Sequence, residues 1–137
     1  MDLQNLAYAL AQVVHNFGAM AVVGGAFYGR SLQGAAPSSI RRFAWLILAA
    51  WTAQAISGAG FGAISYAYYG QFPDIHGIAV AALLIKMACA VAGIVMAVAL
   101  LRYETRWSDV VQATVWAGEA ILGIVALTAA AFLRWFS

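Results

Sequence analysis

Charge is what this sequence has least of. Of its 137 residues, 9% are charged and 65% are hydrophobic, with a mean hydropathy of +0.86, whereas soluble domains carry roughly a quarter charged residues. So few ionic groups exclude an ordinary solvated surface and point to an integral membrane protein. A net charge of +2 leaves nucleic-acid binding without an electrostatic basis. The single cysteine, Cys89, has no partner for an intrachain disulfide and reads as a small core residue. No glycine-rich phosphate loop, Ser-His-Asp order or CxxC pair occurs, so hydrolase and nucleotide chemistry of the soluble kind is unsupported. The N-terminus, Met1-Asp2-Leu3-Gln4-Asn5, has no positively charged region, and the first helix is therefore expected to stay in the mature protein.

Long apolar runs are what the sequence has most of. The run from Gly77 to Leu101 contains one charge, Lys86. At about 1.5 Å per helical residue it crosses the roughly 30 Å of bilayer hydrocarbon, with Lys86 near the middle. A central lysine costs on the order of 3 kcal/mol on insertion scales, so it must face protein or trapped water. Three further runs have the same character, and the reading is a single all-α domain over residues 1–137. It is an integral membrane bundle of four transmembrane helices, with spans at 6–28, 43–69, 77–101 and 110–133. Ser31 to Ser39 reads as the first loop by its Gly, Pro and Ser content. Asp74 reads as the N-cap of the third span, and Ser108 or Asp109 as that of the fourth.

The cations set the orientation. Arg30, Arg41 and Arg42 fall in the first loop and Arg102 and Arg106 in the third, while the N-terminus and second loop offer Asp2 and Asp74. By the positive-inside rule the first and third loops are cytoplasmic, which gives an up-down-up-down bundle with both termini outside and Arg134 as the one dissenter. The expected setting is the inner (cytoplasmic) membrane, with the lipid bilayer as solvent. A homo-oligomer or a larger membrane complex is the expected partner.

Each span carries one strongly polar side chain at similar depth. Counted from the outer ends of the spans, His15 is about 10 residues deep, Lys86 about 11, and Gln54 and Glu119 about 15, a spread of roughly 7 Å. Gln12, His15 and Asn16 share a helix face that should point inward. Two readings of this layer stay open. In the structural one, a Lys86–Glu119 ion pair, hydrogen-bonded by Gln54 and His15, fixes the register of a non-catalytic anchor or accessory subunit. In the functional one, the layer is a redox or metal site, because imidazole is a common ligand of haem and transition metals. A haem would have His15 on one side and Lys86, Met87 or nothing on the other. His76, at the outer surface about 15 Å from the depth of His15, reads as an interface residue. A copper site would draw on Met20, Met87, Cys89 and His15.

Some of these residues also form short motifs. His15 followed by Gly25, Phe27, Tyr28 and Arg30, together with Leu83-Leu84-Ile85-Lys86 in the third span, resembles the first and third helices of the copper resistance D superfamily. The same motifs are similar to the HemJ-type four-helix protoporphyrinogen oxidase family. The resemblance implies a four-helix membrane bundle with haem b held by His15 and with Lys86 at the site. It further implies copper handling in the first family and oxidation of protoporphyrinogen in the second. Val23 and Gly29 stand where the oxidase family has tryptophan and proline, and no histidine follows Lys86, so the superfamily carries over before the specific activity. The resulting expectation is a small membrane protein that holds haem b, or copper less readily, and serves electron transfer or oxidation.

Overall fold

The computed structural model describes residues 2–32 and 34–136; Gln33, part of the expected first loop, lies outside the described residues, as do Met1 and Ser137. Among the described residues all regular structure is helical: α1 Leu3–Arg30, α2 Pro37–Tyr69, α3 Ile78–Tyr103 and α4 Asp109–Phe136. Each helix is long and apolar enough to cross a membrane.

The helices extend beyond the apolar stretches because their end residues continue the backbone ladder or cap it. Asp2 accepts the Gln4 N–H at 3.1 Å, which starts α1 at Leu3. α2 begins six residues before the expected Phe43, at Pro37, where a missing N–H matters least. It ends at Gly70, whose φ of 70° lets its N–H reach the Tyr66 carbonyl at 2.9 Å. Asp74 does not cap α3: the N-cap is Gly77, and the Asp74 carboxylate instead meets His76 Nε2 at 3.2 Å in an exposed pair. Ser108 caps α4, its Oγ accepting the Val111 N–H at 3.4 Å.

Four helix pairs are neighbours: α1 with α2, α2 with α3, α3 with α4, and α4 with α1. α1 and α3, like α2 and α4, therefore face each other across a diagonal without close backbone approach. Along the first neighbouring pair, Gln4 Nε2 donates to the Tyr69 hydroxyl, Tyr8 stacks on Phe61, and Tyr28 packs on Phe43. These contacts join the start of α1 to the end of α2 and the end of α1 to the start of α2.

Lipid tails are as apolar as leucine, so burial gives little drive for helices to associate; close packing against small residues must supply it. The two most bulky buried side chains are built that way. The Trp51 indole lies flat against Gly93 of α3, where any Cβ would collide with it, and the Trp116 ring does the same at Gly29 of α1. Gly123 of α4 receives Val22 and Val23, both 3.0 Å from where its Cβ would stand. At the end of the bundle where these tryptophans pack, Arg41 of α2 pairs with the buried Glu104 that closes α3, Nη1 to Oε1 at 3.1 Å. Gln112 of α4 donates to the Glu104 carbonyl at 2.8 Å. That end is clamped from three helices.

Candidate functional site

Toward the other end, α1 and α4 part. Beyond the Val22–Gly123 contact their facing sides line a cleft of about 920 Å³, with Trp51, Gln54 and Phe61 of α2 and Lys86 of α3 behind it. Small residues make the separation possible: Ala9 and Ala19 on α1 and Ala126 and Ala130 on α4 stand where larger side chains would fill the space. Tyr8 and Phe61 supply aromatic wall, and Gln12 and Asn16 sit exposed on the α1 edge, joined by a 2.7 Å hydrogen bond.

His15 and Lys86 meet in this cleft. Lys86 Nζ stands 2.8 Å from His15 Nε2, bridging the α1–α3 diagonal. Three residues of α2, spaced at i, i+3 and i+7 and so on one helix face, hold the histidine from behind. Gln54 Nε2 donates to the His15 backbone carbonyl, Ser57 Oγ lies 2.8 Å from Nδ1, and Phe61 turns its ring edge-on to the imidazole with centroids 5.7 Å apart. Gly18 leaves room for Gln54, whose amide nitrogen would lie 2.7 Å from a Cβ there.

The polar layer expected from the sequence divides into two levels. Glu119 is fully buried and its Oε2 accepts the Trp51 indole N–H at 2.7 Å across the α2–α4 diagonal, with Oε1 unpartnered among the described residues. No ion pair joins it to Lys86. Trp51 fixes Glu119 at the level of Gly93, seven residues and about 10 Å along α3 from Lys86. Depth counting missed this because α3 starts at Ile78, which leaves Lys86 shallower than a count from Ile75, while α4 continues past Arg134 to Phe136, which sets Glu119 deeper; together the two shifts add about 7 Å to the difference already counted. His15, Lys86 and Gln54 are thus brought together, and Glu119 is not part of their cluster.

The remaining candidates lie elsewhere. Met87 is 57% exposed and Met20 69% exposed, both turned out of the bundle, whereas Cys89 is buried in the core. His76 is on the exposed second loop with Asp74. Among the described residues no three His, Cys, Asp or Glu side chains gather as a metal-binding group.

The electrostatics of the cleft have one sign. Its charged lining residues are Lys86 and Arg134, and neither Asp nor Glu is among the described residues that line it. Around Lys86 and His15 the lining is mostly aromatic, small or apolar, with Gln12, Asn16 and Gln54 as its uncharged polar groups. The size of the cleft falls in the range of pockets that hold cofactor-sized molecules, about 300–1,000 Å³. Ser57 and Trp51 were missed in the sequence; each stands three residues from Gln54, and that spacing, which puts them on the same side of α2, was the available signal. No family model, curated protein or solved structure matches the chain.

Proposed function

We propose that this chain is a multi-pass protein of the cytoplasmic membrane, akin to the copper resistance D superfamily, that holds a b-type haem in the α1–α4 cleft and passes electrons within a larger membrane system. The observation that carries the reading is an imidazole, with a lysine beside it, on the wall of a large cleft between helices long and apolar enough to cross a membrane. A haem is an apolar plate with two carboxylates, and the cleft offers both kinds of surface. His15 would hold the iron through Nε2, the nitrogen that now meets Lys86. Lys86, beside His15, is the cation a carboxylate of the group would meet, and Tyr8 and Phe61 supply aromatic surface for the ring. Bound there, the group supplies one-electron chemistry; the protein's part is to bind it, orient it and keep it out of water. Copper is less favoured by the same geometry, since Met20 and Met87 face away from His15 and Cys89 is buried in the core.

The orientation belongs to the same reading: four spans up-down-up-down, both termini outside. It is supported by the contacts that pair opposite ends of α1 and α2 and by Arg41 on Glu104, which brings the cation-bearing ends of α2 and α3 together. By the positive-inside rule that end is cytoplasmic, and the cleft then opens toward the outer half of the bilayer.

Purified protein titrated with haemin should develop a Soret band that is absent from His15→Ala. A wild-type protein that is colourless, free of metal by elemental analysis and indifferent to haemin overturns the proposal.

A further inference from the structure

The imidazole of His15 has two nitrogens, and the groups around them decide which one keeps its lone pair. Ser57 Oγ lies 2.8 Å from Nδ1 and 2.5 Å from the carbonyl oxygen of Ala53, its own helix neighbour one turn back. A hydroxyl has a single proton. Two oxygens at 2.5 Å without a hydrogen between them would repel, so that proton lies on the Ala53 carbonyl, and the hydroxyl can only accept from the ring. Nδ1 therefore bears the hydrogen. Nε2 is left with the lone pair, which now faces the Lys86 amine at 2.8 Å in the cleft. The carbonyl of Ala53 is in turn fixed by the helical backbone, so the chain Ala53–Ser57–His15–Lys86 has a defined donor direction from end to end.

We infer that Ser57 is the positioning residue of the site: it sets the His15 tautomer and aims the Nε2 lone pair into the cleft. The ring could otherwise rotate about its side chain or carry its proton on Nε2, and either change would present an N–H where a ligand atom needs an acceptor. Ligating histidines characteristically donate their second N–H to an oxygen that orients the ring and makes the ligating nitrogen a stronger electron donor. The arrangement here has that form, with a backbone-anchored hydroxyl in place of the more usual carboxylate or carbonyl. Gln54 and Phe61 hold the backbone and the ring of the same residue but contact neither nitrogen, and Lys86, which approaches Nε2 as a donor, favours the same tautomer from the other side.

The inference rests on the haem reading only for its consequence, and the experiment separates the two. In the His76→Gln background His15 is the one histidine, and nitrogen NMR of the ¹⁵N-histidine-labelled, ligand-free protein in nanodiscs reads its ring directly. Nδ1 should appear protonated and Nε2 bare; in a Lys86→Met background, which removes the donor facing Nε2, Ser57 should hold that pattern, Ser57→Ala should let the proton shift toward Nε2, and Ser57→Thr, which keeps the hydroxyl, should restore it. An Nε2–H tautomer in the parent protein, or a pattern unmoved by Ser57→Ala in the Lys86→Met background, overturns the inference. With haemin as probe, Ser57→Ala should bind about 10- to 100-fold more weakly than the parent, with a higher midpoint potential, and Ser57→Thr should recover both. If the parent takes up no haemin, the haem reading falls and the ligand-free spectra still decide the role of Ser57.

Discussion

Two hydrogen bonds cross this bundle between helices that are not neighbours, and their surroundings are opposite. The Trp51–Glu119 bond on the α2–α4 diagonal is sealed: both side chains are almost wholly inaccessible and Trp51 is pressed onto Gly93, so that only the edge of its indole borders the cleft. The His15–Lys86 bond on the α1–α3 diagonal borders a cavity of about 920 Å³ and both side chains are half-buried. The same device, a polar bond spanning the long diagonal, thus serves as packing at one level and stays open to a ligand at the other. The difference lies in the neighbours: tryptophan on glycine closes the first, alanine facing alanine leaves the second open.

The strongest way to break that contrast is to remove its sealed member. Trp51→Ala deletes a buried indole and leaves Glu119 without a donor, and should destabilise the protein by about 3–5 kcal/mol, read as a large fall in thermal midpoint in detergent. His15→Ala removes a bond at the open level, where interhelical hydrogen bonds in membranes average about 0.6 kcal/mol and reach about 1.7. Its thermal midpoint should move little, even as haemin uptake disappears. If His15→Ala proves as damaging as Trp51→Ala, the open level is scaffold rather than site. The smallest effect sharpens the separation of the two levels. Because Lys86 and Glu119 belong to different bonds about 10 Å apart along the bundle, the stability changes of Lys86→Met and Glu119→Leu should add, with a coupling within about 0.5 kcal/mol. A coupling of several kcal/mol would restore the ion pair that the sequence suggested.

That ion pair marks the limit of what the sequence could tell. The four spans were legible because apolar runs of that length have few other uses, and their ends shifted only where turns at the interface stayed helical, as at Pro37 and Phe136. The meeting of His15 and Lys86 was legible too, since both lie about ten residues below the same surface. Glu119 was placed in the wrong company for a geometric reason. Depth along an axis says nothing about which partner a side chain rotates toward, and an indole N–H across the bundle was a closer match than an ammonium about two turns distant. Asp74 was assigned to a cap by residue type, but Gly77, with its φ of 52°, starts the helix three residues later and frees Asp74 for His76. The Arg41–Glu104 bond escaped notice because Arg41 was weighed as a marker of orientation and Glu104 was not weighed at all.

The parting of α1 and α4 has one more consequence. A pocket walled by two spans is reached from among the lipids, so its occupant must first dissolve in the membrane. The concentration the site experiences is then set by partitioning between water and bilayer, and a molecule scarce in solution can be plentiful at the door. Short loops are no handicap to such a protein, since the membrane itself gathers what it binds.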